Sequence, residues 1–257
     1  MKMLDDTFPE KLETNSNETQ LQAREKLLHL FKNNNLPAEE LMTSLGLFIR
    51  GSALVKYLVL NDLYTRILKT PGTIIEFGTC WGQNLILFEN LRAIYEPFNK
   101  TRKIVGFDTF TGYPVGDDND KNGDVFKEGN YKLEDDYEDF LKDLLNTHVE
   151  CNVLGNNKSI HEVIKGDVSE TVREYFQNNP SELISLAYFD MGLYKPTKVA
   201  LEEVLKHTVP GSIILLDQLT WSDAPGEALA FKEVFKDVKY EIEISKFTPM
   251  RSIITLL

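Results

Sequence analysis

Apolar positions along the chain follow two alternating rhythms. Short continuous runs rich in β-branched and aromatic residues recur at 73–77, 103–108, within 161–175, at 183–190 and at 212–217. Between them, apolar residues return at three- and four-residue spacing. The first rhythm predicts strands covered on both faces, and the second predicts amphipathic helices. One complete unit lies at 70–91, TPGTIIEFGTCWGQNLILFENL. It has Thr73, Ile74, Ile75 and Phe77 on a strand, Gly78 and Gly82 in a tight turn, and Leu85, Phe88 and Leu91 on a helix. Ahead of it, residues 1 to about 17 are polar and lack periodicity, which predicts a loose tail. Helices are expected at 18–31, stopped by NNNLP, at 38–47, and at 52–69, where Leu54, Tyr57, Leu58, Leu63, Tyr64, Ile67 and Leu68 make a wide apolar face. Behind it, helices are expected at 136–145, after Ser169 as a cap, at 196–207 and at 227–235. The segments YEIEISKF and RSIITLL predict a closing antiparallel hairpin. The fold class is therefore α/β, a mostly parallel seven-stranded sheet with helices on both faces. An N-terminal tail and helical extension (1–52) precedes a single domain (53–257), which carries an acidic insertion at about 115–139.

Composition narrows the partners. At 257 residues the chain can bury a full core, and 42% hydrophobic with 26% charged residues is ordinary for a globular protein. Its net charge of −12 repels a phosphate backbone, so nucleic acid is set aside. No apolar run approaches the length of a membrane span, and the first residues resemble neither a signal nor a transit peptide. A cytoplasmic protein is expected. Cys80 and Cys151 form no paired motif, which leaves out a zinc knot or disulfide framework.

Candidate chemistry gathers at the strand ends. Gly78 and Gly82 let the backbone bend and let a ligand approach it, while the helix after them points free N–H groups into the crevice above the strand. A dinucleotide fingerprint requires a glycine where Cys80 stands, and Glu76 suits a cofactor with a positive amino group better than one with phosphates. The same glycines would also serve a plain βα turn. Asp108 ends the second strand, where a carboxylate reaches the ribose of a bound nucleotide; otherwise it caps the next turn. Gly166 and Asp167 fall where an adenine edge would sit. Asp190 and Asp217 end the fourth and fifth strands, and both could instead cap the following helices. The acidic stretch 117–139 carries ten acids against three lysines, a net of −7 within the total of −12. Asp118, Asp120, Asn122 and Gly123 match a calcium loop, but the match fails because Gly129 stands where its bidentate glutamate belongs and Glu128 is one residue early. A solvated insertion over the pocket mouth is expected instead.

In this order and at these distances, EFGTCWGQN, GFDTFTGYP, KGDVSET, FDMGLYKPT and GSIILLDQL resemble the class I S-adenosylmethionine-dependent methyltransferases, and more narrowly the macrocin O-methyltransferase (TylF-type) group. The resemblance covers roughly 55–257 and implies a Rossmann-like sheet. It implies Glu76, Gly78, Thr79 and Gly82 at the methionine part of S-adenosylmethionine, Asp108 and Thr109 at the ribose, Gly166, Asp167 and Val168 at the adenine, and Asp190 between cofactor and acceptor. It further implies magnesium. Where that group usually has a second acid and a double aspartate, this chain has Gly192 and Gln218. Asp190, Asp217 and Gln218 remain as candidate oxygen ligands, similar to the set of the catechol-type O-methyltransferases. Methyl transfer is an in-line displacement, and the acceptor hydroxyl must lose its proton as the bond forms. Asp190 is the candidate base or ligand, with Tyr113, Tyr194, Trp221 and Asp223 shaping the acceptor pocket. The implied acceptor is a small molecule, a sugar or sugar nucleotide in surface-glycan or natural-product biosynthesis, and a homodimer is expected. Two other readings stay open: an NAD-dependent α/β oxidoreductase, and a catalytically inactive protein that keeps S-adenosylmethionine binding.

Overall fold

The computed structural model describes residues 17–120, 126–154 and 160–257. The expected tail, apart from Asn17, and the calcium-like positions Asn122 and Gly123 lie outside the described residues. Seven strands form one sheet in the order β3-β2-β1-β4-β5-β7-β6. These are β1 (Thr73–Phe77), β2 (Ile104–Asp108), β3 (Glu162–Lys165), β4 (Ile184–Phe189), β5 (Thr208–Leu216), β6 (Tyr240–Ser245) and β7 (Thr248–Leu256). The first five run parallel, β7 pairs antiparallel with β5, and β6 pairs antiparallel with β7. Phe77 lies level with Phe107 on one side and Phe189 on the other. The carboxyl ends of the three central strands therefore open at one height. The chain leaves β1 toward β2 and later returns on its other side as β4, so the crevice between β1 and β4 is a topological switch point.

Alternation along the strands divides the core into two layers. Ile75, Phe77, Ala187, Phe189, Ile214 and Leu216 face α6 (Val168–Asn178), α7 (Tyr194–Leu205) and α8 (Pro225–Val234). Ile74, Leu186, Tyr188, Ile213 and Leu215 face α3 (Gly51–Arg66), α4 (Gln83–Tyr95) and α5 (Tyr137–Asn152). Phe77 is fully buried, and its truncation to alanine would cost about 3–5 kcal/mol. The expected helix at 136–145 runs on to Asn152, because Val149 continues the buried stripe of Leu141 and Leu145. The helix expected at 38–47 breaks into α2 (Ala38–Thr43) and a 3-10 turn at Leu45–Leu47. Asp167, rather than Ser169, caps α6. The first helix, α1 (Glu18–Lys32), opens on a capping box in which Asn17 and Gln20 exchange bonds of 2.9 and 3.0 Å. Neither α1 nor α2 buries a residue, whereas α3 sends Val59, Leu60, Leu63 and Tyr64 into the core. Among the described residues no helix is long and apolar enough to cross a membrane.

Candidate functional site

The turn after β1 is bent by Gly78, whose φ of +86° suits glycine. A side chain there would overlap the backbone carbonyl of Asp190. The absence of one is what lets the ends of β1 and β4 meet, with Asp190 N donating to Phe77 O at 2.9 Å. Gly82 has a different reason to be glycine, because a Cβ there would overlap Leu141 of α5. Just inside the turn, Glu76 is buried, and its Oε1 accepts from Asn84 Nδ2 at 2.5 Å. Its Oε2 is buried with no partner. Desolvation pushes the Glu76 carboxyl up to about 8, against the pull of Lys56 and the Asn84 bond. The unpartnered Oε2 leaves this carboxyl able to accept a hydrogen bond from a ligand group in the crevice.

Asp108 joins the neighbouring turns. Its Oδ2 accepts from Cys80 N at 2.7 Å and its Oδ1 from Phe110 N at 2.8 Å. Burial raises its pKa, and these backbone N–H groups oppose the shift. Thr109 donates to Gly112 O at 2.8 Å. Gly166 N donates to Asp108 O at 2.9 Å, but Gly166 stays off the cavity wall, as does Gly82. Asp167 and Val168 line the cavity where α6 begins, and Asp167 Oδ1 accepts from Ser169 N at 2.7 Å.

Past β4 and β5 the expected magnesium ligands are engaged with one another. Gln218 turns its amide nitrogen to both acids, 2.6 Å from Asp190 Oδ1 and 3.4 Å from Asp217 Oδ2. Asp217 Oδ1 accepts from Tyr188 OH at 3.1 Å and from Arg251 Nε. Magnesium takes oxygen ligands. Here an amide nitrogen faces the aspartates and a guanidinium already neutralises Asp217. Among the described residues no group of three or more His, Cys, Asp or Glu side chains is arranged to hold a metal. As arranged, Asp190, Asp217 and Gln218 are bonded to one another and to Arg251 rather than turned together toward an open ion position. Desolvation, followed by the nearby Asp217 charge, pushes Asp190 up to about 6, while Lys56, Gln218 and Arg251 pull it back. Glu227, fully buried on α8, accepts from Gln218 N at 3.1 Å on Oε1, and its Oε2 has no partner.

Another wall of the site is built by part of the acidic insertion. Asp120 Oδ1 accepts from Tyr194 N at 2.7 Å and its Oδ2 from Asp117 N at 3.0 Å, fastening the segment to the start of α7. Phe126 is buried against Tyr113 and Trp221, with ring centroids 5.2 and 5.7 Å away, and Tyr131 lies 5.7 Å from Tyr113. The described part of this insertion borders the cavity through Phe126 and Tyr131, while Asp118, Glu128, Glu134, Asp135, Asp136 and Asp139 stay exposed to solvent. Gly192 has φ +69°, and a Cβ there would overlap the Phe126 ring. Of the expected acceptor residues, Tyr113 and Trp221 line the cavity. Tyr194 does not, since its hydroxyl bonds Glu233 at 2.9 Å and Lys198 at 3.2 Å; Asp223 is exposed beside Ser222.

One cavity of about 590 Å³ connects these parts, within the usual range of about 300–1,000 Å³ for small-molecule sites. Its wall includes Glu76, Gly78, Thr79, Asp108, Thr109, Asp167, Val168, Asp190 and Gln218, together with Tyr113, Phe126, Tyr131 and Trp221. Lys56 also lines it, and neither Lys56 nor Glu227 was expected at the site. The arrangement can hold a cationic ligand at Glu76, take a proton at Asp190 and stack a flat or ring-shaped acceptor on the aromatic wall.

No family model and no curated protein sequence matches the chain. Among solved structures, the calicheamicin methyltransferase CalS11 is similar at 33% identity, covering 96% of this chain and 98% of its own, with a TM-score of 0.88. An apo structure of CalS11, described as a TDP-rhamnose 3′-O-methyltransferase of calicheamicin biosynthesis, gives 32% identity over 94% of this chain and 96% of its own, with a TM-score of 0.80. The O-methyltransferase NovP shares the fold, at 13% identity, 79% coverage of each chain and a TM-score of 0.59. The two CalS11 structures decide against the NAD-dependent oxidoreductase. The sheet order, the cavity at its switch point and this near-full-length identity place the chain in the class I methyltransferase family that contains CalS11.

Proposed function

We propose that this protein is an S-adenosylmethionine-dependent O-methyltransferase whose acceptor is a hydroxyl of a sugar or sugar nucleotide. The observation that carries the reading is the unpartnered Oε2 of buried Glu76, placed in the same cavity as Asp190. Glu76 suits the α-ammonium group of the cofactor, Asp108 and Thr109 the ribose, and Asp167 and Val168 the adenine edge. Bound there, S-adenosylmethionine supplies an electrophilic methyl group on a sulfonium. Asp190, ionised above about pH 6, accepts the proton of the attacking hydroxyl. Gln218 fixes its carboxylate from one side, and Glu227 fixes the Gln218 backbone in turn. Tyr113, Phe126, Tyr131 and Trp221 exclude water and hold the acceptor ring. The choice of a sugar rests on the two CalS11 structures, and the narrower TylF-type assignment rests on the motifs alone. Because Arg251 and Gln218 serve Asp217 and Asp190, turnover needs no added divalent metal.

The test is incubation with S-adenosylmethionine and TDP-deoxysugars in chelator, followed by mass spectrometry. A product heavier by one methylene, with stoichiometric S-adenosylhomocysteine, is expected. Cofactor binding without transfer to any sugar or phenol acceptor would favour the non-catalytic reading, which the replacement of an acid by Gly192 supports. The homodimer also belongs to this reading. Leu21, Leu28, Leu30 and Phe31 of α1 and Met42 of α2 are exposed, and a second copy would cover them. Light scattering of the chain with Leu28, Leu30 and Phe31 changed to serine should then give a monomer.

A further inference from the structure

The cavity is lined by four carboxylates, those of Glu76, Asp108, Asp167 and Asp190. Among the described residues that line it there is one cation, Lys56. This half-buried lysine sits in the second turn of α3, 20 residues before Glu76 in a chain with net charge −12. The helix beneath it is fixed, with Val59, Leu60, Leu63 and Tyr64 in the core and Asp62 paired with Arg66 and Lys246. No salt bridge ties Lys56 to a described carboxylate, yet its charge pulls on Glu76, Cys80 and Asp190. It shares the cavity wall with Glu76, Cys80 and Asp190.

A lysine on that wall repels the positive sulfonium and ammonium of the cofactor and attracts any anionic group the cofactor carries. S-adenosylmethionine carries one anionic group, the α-carboxylate, on the same carbon as the ammonium. The group that binds the carboxylate must therefore adjoin the group that binds the ammonium. We propose that Lys56 binds the α-carboxylate of the cofactor, so that Glu76 and Lys56 read its zwitterion from opposite sides. The inference rests on the S-adenosylmethionine reading above.

The experiment is calorimetric titration of the full chain with S-adenosylhomocysteine and with its decarboxylated analogue, S-adenosyl-3-thiopropylamine. Wild type should prefer the carboxylated ligand by about 10- to 100-fold. Lys56→Met should lose that preference and bind both ligands alike, while Lys56→Arg keeps most of it. A preference unchanged in Lys56→Met would overturn the proposal and assign the carboxylate to the free N–H groups that open α4. Equal losses on both ligands would overturn it as well, since the lysine would then act on the pocket in general. If wild type binds neither ligand, the cofactor reading itself fails, an outcome distinct from any change in the variants.

Discussion

Polar clusters are buried at both edges of the same sheet, and they differ in how completely they are bonded. At the amino-terminal edge Arg102 donates to the carbonyls of Thr70, Gly72 and Ile67, to Ser185 Oγ and to both oxygens of Glu96, at 2.7–3.2 Å. Tyr64 OH donates to Glu96 Oε2 at 2.7 Å. Each guanidinium nitrogen of Arg102 and the Tyr64 hydroxyl thus has a partner. On the cavity wall at the carboxyl-terminal edge, Glu76, Thr79 and Gln218 each keep a buried side-chain oxygen without a partner. A buried polar group costs stability unless it is bonded, so a cluster left open is built for something else to complete. On the proposed reading, the closed cluster holds the fold and the open one is completed by ligand.

If that contrast is right, substitutions at the two edges should fail in different assays. The largest effect is expected at the open edge. Asp190→Asn should lower turnover about 10²- to 10⁴-fold with S-adenosylhomocysteine affinity nearly unchanged, as steady-state kinetics beside calorimetry would show. In the wild type, activity should rise with pH through about 6, the value to which burial and Asp217 push Asp190. At the closed edge, Arg102→Met strands Glu96 and several carbonyls, and should cost about 3–5 kcal/mol in urea unfolding. Its surviving folded fraction should bind ligand normally.

Glu76→Gln comes next and sharpens the contrast most. Ligand affinity should fall about 10- to 100-fold while unfolding stability at neutral pH holds or rises. The sign follows from linkage. The unfolded glutamate loses its proton near 4.5 and the folded one near 8, so between these values the native state binds more protons. Wild-type stability should therefore fall as pH rises across that window, with Lys56, Asp108 and Asp190 as the charges around Glu76, and the variant should flatten the slope. Gly192→Ala forces a side chain into φ +69° and into the Phe126 ring. About 1–3 kcal/mol of stability is expected to go, with a raised acceptor KM and an unchanged cofactor affinity. Tyr194→Phe, off the cavity wall, should change kcat/KM less than about twofold, within the small range expected of a surface change.

The sequence was most legible where one segment carries its own explanation. Buried parallel strands print as apolar runs, so β1, β4 and β5 and the acids that follow them stood out, as did the turn after β1. Pairings made across long separations left no local mark. Arg251 meets Asp217 because the antiparallel register that sets Leu216 against Ser252 brings the next residues opposite each other. Phe126 is a lone aromatic in an acidic stretch, and its packing on Gly192 explains a departure that the motif left bare. Lys56 and Glu227 sit on helices whose patterns announce packing alone. Tyr194 and Asp223 were placed at the site by their neighbours in sequence, yet nearness along the chain does not set a side chain's direction. Tyr194 begins α7 and its hydroxyl goes to Glu233 of α8.

The central claim is that the open edge is a cofactor site complete without a metal. Calorimetric titration with S-adenosylhomocysteine, once in chelator and once with magnesium, tests it most directly. The account predicts one site per chain with the same affinity in both conditions. Binding that appears only with magnesium, or no binding in either, would contradict it.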